Sequence, residues 1–308
     1  MPMRFLILVL ALSGITLPGA EARLEVVAMN SVIADIARQV GGNDVLVTSL
    51  IPPGQDLHGF SPSPGDMRQV RQSRIVLTSG LGLEAGFLSK LQSQDPHGPL
   101  FVSLGDSMTP LASSPTPHEH EHEHDDEHGE IDPHWWHSIP NARMASKVIC
   151  DAFIQADPDH AEAYTIRTAA FDKKLSELAR WVRVTMARLP RDRRILVTSH
   201  DAFGYFAHDY GFTVRPVAGL SSEDKPSSKN VRALIAAIQA NHVPAIFIEN
   251  TENPKVLTEI TRETGTRIGG MLYSGGLGEK EATSYEDMVR HNVETIVNGL
   301  TPNSNGAN

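Results

Sequence analysis

From Pro158 to Leu189 the chain keeps a helical spacing of apolar residues with no internal proline or glycine, enough for roughly 45 Å of continuous helix at 1.5 Å per residue. On both sides of it, short strand-like runs alternate with helical ones. Before it come RLEVVA, then SVIADIARQVGG ending on a glycine pair suited to a helix C-terminus, then VLVTSLI, DMRQVRQS, RIVLTSG and LEAGFLSKLQ. After Pro190 come RILVTSH, FGYFAHDYG, TVRPVAG, NVRALIAAIQANH, PAIFIEN, NPKVLTEITRETG and YEDMVRHNVETIVNGL. Strand and helix alternating at this spacing argue a parallel sheet covered on both faces. The fold class expected is therefore α/β: two lobes, each a parallel sheet flanked by helices, joined by one long backbone helix. The boundaries read as 23–157 for the first lobe, 158–190 for the linking helix and 191–301 for the second lobe, with a disordered tail at 302–308.

The first 22 residues read as a signal peptide. Arg4 precedes an apolar run from Phe5 to Leu17, and Ala20-Glu21-Ala22 has the small-x-small form cut by signal peptidase. That run is too short to span a bilayer, which takes roughly 20 apolar residues. The only cysteine is Cys150, so no intrachain disulfide forms and no lipidatable cysteine stands at the cleavage point after Ala22. These features predict a secreted, periplasmic protein without a lipid anchor, expected to be a monomer. A net charge of −10 excludes a nucleic-acid partner. Part of the acidic excess is local, since residues 119–130 hold seven acids and no lysine or arginine.

That stretch lies in a His/acid-rich loop at about 113–130, which includes His118, His120, His122, His124 and His128. Alternating like-charged groups keep such a segment extended and hydrated. Its imidazoles bind metal loosely, because flexible ligands lose entropy on ordering and select poorly. Three other histidines stand where α/β sheets place ligands, in loops or at the carboxyl ends of strands. They are His58 in GQDLHGFSPSP, His134 in DPHWWHS and His200 in VTSHDAF. Neutral imidazoles converging from two lobes suit Zn²⁺ in tetrahedral geometry. Spacing alone leaves each of them open to a surface or core role.

The motifs GQDLHGFSPSP, DPHWWHS, VTSHDAFGYFAHDYG, GLSSEDKPS, FIEN and SYEDMVRHNVETIVNGL, in this order, resemble the metal-specific solute-binding proteins of ABC importers for zinc and manganese. The resemblance covers essentially the whole chain after residue 22. It implies one metal in the cleft between the lobes, held by His58, His134 and His200, and delivery to an ABC permease in the inner membrane, with a periplasmic zinc chaperone as a further partner. A histidine at the third position favours Zn²⁺ over manganese as the transported ligand. The family's usual fourth ligand, an aspartate, aligns with Gly275 in LYSGGLG. Water, a carboxylate or histidine from elsewhere, or a weaker site are the three alternatives. Zinc members of the family carry a His-rich loop between the first and second ligands, so the loop here reads as an accessory that collects or passes on zinc.

Around the site, Asp132 and Asp201 are candidates to orient imidazoles. Glu249 is a candidate for the missing carboxylate, His137 lies behind the ligands, and Trp135 and Trp136 wall the cleft. His160, His208, His242 and His291 read as structural or exposed. The rival functions are a manganese carrier, an exported zinc metallochaperone, an adhesin and a zinc hydrolase; no HExxH helix or paired general base supports the last, and no catalysed reaction is expected. Proton competition for the imidazoles is expected as pH falls below about 6.5.

Overall fold

The computed structural model describes residues 23–92, 98–113, 130–221, 224, 227–251 and 253–301. The expected signal peptide at 1–22, the tail at 302–308 and His118, His120, His122, His124 and His128 lie outside the described residues.

The first lobe builds from β1 (Leu24–Asn30), α1 (Ser31–Gly41), β2 (Val45–Ile51), α2 (Pro64–Gln72), β3 (Ile75–Thr78), α3 (Leu88–Leu91) and β4 (Leu100–Ser103). The strands form one parallel sheet in the order β2-β1-β3-β4. Burial on both faces explains why RIVLTSG reads as a near-continuous apolar run, whereas β2, at the sheet edge, leaves Leu46 exposed. Helix starts follow local chemistry: Asn30 accepts from the Ile33 N–H to begin α1, and Ser63 and Asp66 form a reciprocal capping box around Pro64 to begin α2.

LEAGFLSKLQ departs from the expected helix, which shrinks to α3, Leu88–Leu91. The Glu84 carboxylate turns back instead to accept the Ser79 and Gly80 N–H groups at 2.6 and 3.1 Å. Gly80, Leu81 and Gly82 all take positive φ, which ends regular structure there.

Next come α4 (Ile139–Ala156) and α5 (Ala161–Met186), then β5 (Ile195–Thr198), α6 (Gly204–Tyr210), β6 (Thr213–Pro216), α7 (Ser228–Ala240), β7 (Ala245–Glu249), α8 (Lys255–Thr264), β8 (Arg267–Leu272) and α9 (Tyr285–Leu300). The second lobe's strands pair in parallel as β5 with β6 and β7 with β8, and β5 runs beside β7.

The long helix α5 is shorter than the 158–190 expected, because Pro158–His160 forms a separate 3-10 turn ahead of it. At 26 residues it is about 39 Å long. One stripe of it is buried, from Tyr164 through Phe171, Leu175 and Leu178 to Val182 and Met186, against α1, α4 and α9. Its polar face is tied on both sides: Arg167 reaches the Val40 carbonyl and Asp44, Asp172 takes a bidentate Arg143, and Arg290 of α9 stacks over Trp181 at 4.6 Å. One apolar cluster runs from β1 and α1 through the Trp135-Trp136 pair and α5 into Phe247, Leu272 and α9. No helix among the described residues is long and apolar enough to cross a membrane.

Candidate metal centre

Four of the chain segments that matter leave the sheets at strand carboxyl ends: the loop after β2 carries His58, the turn after β5 carries His200, β7 ends on Glu249, and the turn after β8 carries Gly275. Parallel strands from two lobes thus aim their exits at one place. The fifth approach is the segment before α4. There Ala112 bridges Ile131, the Asp132 N–H bonds to the Leu111 carbonyl, and a 3-10 turn over Trp135–His137 leads to the Ser138 cap of α4.

These segments bring His58, His134 and His200 together, with one ring nitrogen of each within 4.8 Å of the other two. Ring centroids are 5.3 Å apart for His58–His134, 5.6 Å for His58–His200 and 5.3 Å for His134–His200, a nearly equilateral triangle. The Nε2 atoms of His58 and His134 are 3.2 Å apart. Two nitrogens bound tetrahedrally at 2.0–2.1 Å would be about 3.3 Å apart, so the spacing fits a small cation between them.

Each of the two buried rings is backed by a carboxylate. Asp132 Oδ1 accepts the His134 N–H and also stands 2.8 Å from His134 Nδ1. Glu249 Oε1 accepts the Ser199 and His200 N–H groups at 2.8 and 3.1 Å, and its Oε2 is 2.7 Å from His200 Nδ1. The Glu249 carboxylate therefore sits behind His200, with Oε1 taken by two backbone N–H groups and Oε2 against the ring at Nδ1, and it does not join the three imidazole nitrogens as a ligand. His58 differs. It is half-buried, and its loop is shaped by Asp56, whose carboxylate accepts the His58 and Gly59 N–H groups.

Burial disfavours the charged form of His58 and His134. Burial, and then the neighbouring His134 and His200, push His58 down to about 3. Burial likewise holds His134 well below the usual histidine value and takes His137 to about 3. Burial pushes Asp132 up to about 6. For Glu249 burial acts upward too, but the His200 ring and its hydrogen bonds outweigh it and hold the carboxyl below its ordinary range. Imidazoles held neutral at His58 and His134, with carboxylates behind His134 and His200, form a site suited to a positive charge.

Other expectations resolve locally. His137 stands behind the three-histidine cluster: its Nε2 donates to the Ser274 carbonyl at 2.9 Å and its ring stacks on Phe203. Trp135 and Trp136 are fully buried, and Trp136 packs edge-on to His134 while donating to the same Ser274 carbonyl. Asp201 is buried, with its N–H on the Gly219 carbonyl. His208 is exposed, and His291 Nε2 donates to the Met271 carbonyl. At Gly275, a Cβ would meet only Leu57, at 3.6 Å, so a side chain has room there.

Sequence reasoning missed the fixing of the Gly275 turn onto the first lobe. Besides Trp136 and His137, the Ser31 hydroxyl accepts the Leu277 N–H, the Gly54 N–H reaches the Leu277 carbonyl, and Asp35 accepts the Tyr285 N–H. Asp35 and Ser31 lie on an otherwise apolar face of α1, and a polar group on such a face was the available signal.

Known proteins resemble this chain over most of its length. The family model described as "Zinc-uptake complex component A periplasmic" matches residues 26–299. The manganese-binding lipoprotein MntA of Bacillus subtilis is 34% identical over 91% of each chain. The iron-binding protein YfeA of Yersinia pestis is 31% identical, covering 90% of this chain and 86% of its own. The zinc-binding protein TroA of Treponema pallidum is 31% identical, covering 91% of this chain and 90% of its own. Its solved structure superposes with a TM-score of 0.80 at 30% identity, covering 91% of this chain and all of that one. The Bacillus relative and others are named lipoproteins, which overturns the expectation that no lipid anchor is present. That expectation rested only on the lack of a cysteine near Ala22, within a stretch that the described residues do not include.

Proposed function

The chain belongs to the family of periplasmic zinc-uptake components A, the metal-binding, substrate-binding parts of ABC importers, and from that premise we propose that its cargo is one Zn²⁺ held by His58, His134 and His200. As a member of that family it is a carrier and not an enzyme, and its partner is the membrane permease of the importer. The relatives are named for manganese, iron and zinc, so the metal has to be argued from this chain's own donors. The observation that carries zinc is the donor set: three imidazole nitrogens converge and no carboxylate joins the cluster among the described residues. Imidazole suits zinc, whereas manganese favours oxygen ligands. Three histidines and water complete a tetrahedral shell, with water in the place that the Gly275 turn leaves open.

On this reading the lobes span 23–157 and 191–301, with 158–190 between them, and the His/acid run at 118–128 gathers zinc outside the cleft. The test is competition of zinc and manganese against a chromophoric chelator, on the full chain and on one lacking residues 114–129. The expected result is one tight zinc equivalent in both, lost in His200→Ala, with zinc displacing manganese; weaker extra equivalents should vanish with the loop. A preference for manganese at the tight site would overturn the zinc reading.

A further inference from the structure

We propose that Glu249 is the positioning residue that makes His200 a metal ligand, by fixing which ring nitrogen carries the proton. The inference rests on the reading of His200 as a ligand and adds a residue whose own atoms never touch the ion. Glu249 is the last residue of β7, 3% exposed, and is held rigidly by the strand and by two N–H groups on Oε1, from Ser199 and His200. That leaves Oε2 facing His200 Nδ1 at 2.7 Å.

An ionised carboxylate only accepts hydrogen bonds, so the Nδ1 it faces must bear the ring proton. A neutral imidazole with its proton on Nδ1 has its lone pair on Nε2, the nitrogen on the far side of the ring from Glu249. The lone pair is thereby aimed at the cluster before any cation arrives, and no tautomer exchange has to accompany capture. Asp132 stands in the same relation to His134 Nδ1. The two carboxylates also bring two negative charges close to a site whose three ligands are neutral, matching a divalent ion. In this chain, where glycine stands at position 275, the compensating charge lies behind the ligands and not among them.

Glu249→Gln separates this role from a structural one. The amide keeps the size of the carboxylate, and its oxygen still suits the two backbone N–H groups. The NH₂ group then faces Nδ1 and requires an acceptor there, which drives the ring proton to Nε2 and blocks the metal-binding lone pair. Rotating the amide does not help, because NH₂ would then face two N–H donors.

Three measurements on the full chain follow: zinc affinity by chelator competition, the melting temperature of the metal-free protein, and the ring ¹⁵N shifts of His200. Expected for Glu249→Gln are a roughly 10–100-fold loss of zinc affinity, a melting temperature close to that of the parent, and ¹⁵N shifts that exchange the Nδ1–H pattern for Nε2–H. Glu249→Asp keeps the charge and should retain the Nδ1–H tautomer with an intermediate affinity. Parent-like zinc binding by Glu249→Gln, or weakened binding with the Nδ1–H tautomer unchanged, would overturn the proposal. His200→Ala separates the two levels of inference: if that variant binds zinc normally, the ligand reading itself falls, whereas loss in His200→Ala without loss in Glu249→Gln overturns only the role of Glu249.

Discussion

The three imidazoles of the proposed metal site are not equivalent. His134 and His200 are buried, each with a carboxylate at its Nδ1, while His58 is half-buried on a loop of Gly and Pro whose nearest ordering group, Asp56, holds backbone N–H groups. Two arms of the site are thus fixed in direction and tautomer before metal binds, and the third stands at the mouth. Preorganised donors cost no ordering entropy on binding, so the buried pair should supply most of the affinity. The outer ring, on the more adaptable segment, should govern how quickly the ion enters and leaves.

The largest effects should come from removing one arm at a time. His134→Ala is expected to weaken zinc by more than 100-fold, beyond the roughly 10–100-fold that loss of an outer-shell partner costs. His58→Ala should cost less at equilibrium and act mainly on the dissociation rate, read by stopped-flow transfer to a chelator. Equal losses, with equal effects on the off-rate, would erase the distinction between the arms.

Acidity probes the same contrast. Because burial holds His58 at about 3 and His134 well below its usual value, those two rings should not take up protons near pH 6.5, and zinc affinity should fall less steeply there than competition at all three imidazoles would make it. The cost appears in stability. Below about pH 6.5 unfolded histidines bind protons that the folded ones refuse, so the unfolded state carries more protons and the melting temperature of the metal-free protein should fall as pH drops. Below about 6 the Asp132 carboxyl, pushed up to about 6 by burial, takes a proton in the folded state first and should soften that decline. A melting temperature that rises between pH 7 and 6 would contradict this account.

The smallest change should come from giving the mouth a carboxylate of its own. Gly275→Asp has room beside Leu57, the neighbour of His58, and an oxygen donor there should improve manganese binding more than zinc. A shift of about tenfold in the zinc-to-manganese ratio, at the low end of outer-shell effects, would sharpen the contrast. An unchanged ratio would mean that the turn does not face the ion.

Much of this was legible before the fold was known. The parallel sheets followed from apolar runs alternating with amphipathic ones, whereas the placement of His58, His134 and His200 after strands or in loops left their roles open and only the family resemblance singled them out as ligand candidates. LEAGFLSKLQ failed as a helix because periodicity cannot register that Glu84 serves the Ser79 and Gly80 N–H groups instead. Glu249 was visible as a carboxylate ending an apolar strand, but its role depends on which side of His200 it occupies, and that is decided by the packing of β7 beside β5. The anchoring of the Gly275 turn was invisible for the same reason, since Ser31, Asp35 and Leu277 are remote in sequence and meet only in the folded chain.

That anchoring changes how the molecule holds together. The turn after β8 belongs to the second lobe by chain order, yet Ser31, Asp35, Gly54, Trp136 and His137 of the first lobe hold its backbone and that of the neighbouring start of α9. The apolar cluster also runs unbroken through both lobes. Pulling the lobes apart would strand buried donors and acceptors along that seam. The two halves are thus joined by buried hydrogen bonds and a shared apolar cluster as well as by the chain, although the second half also keeps a cluster of its own.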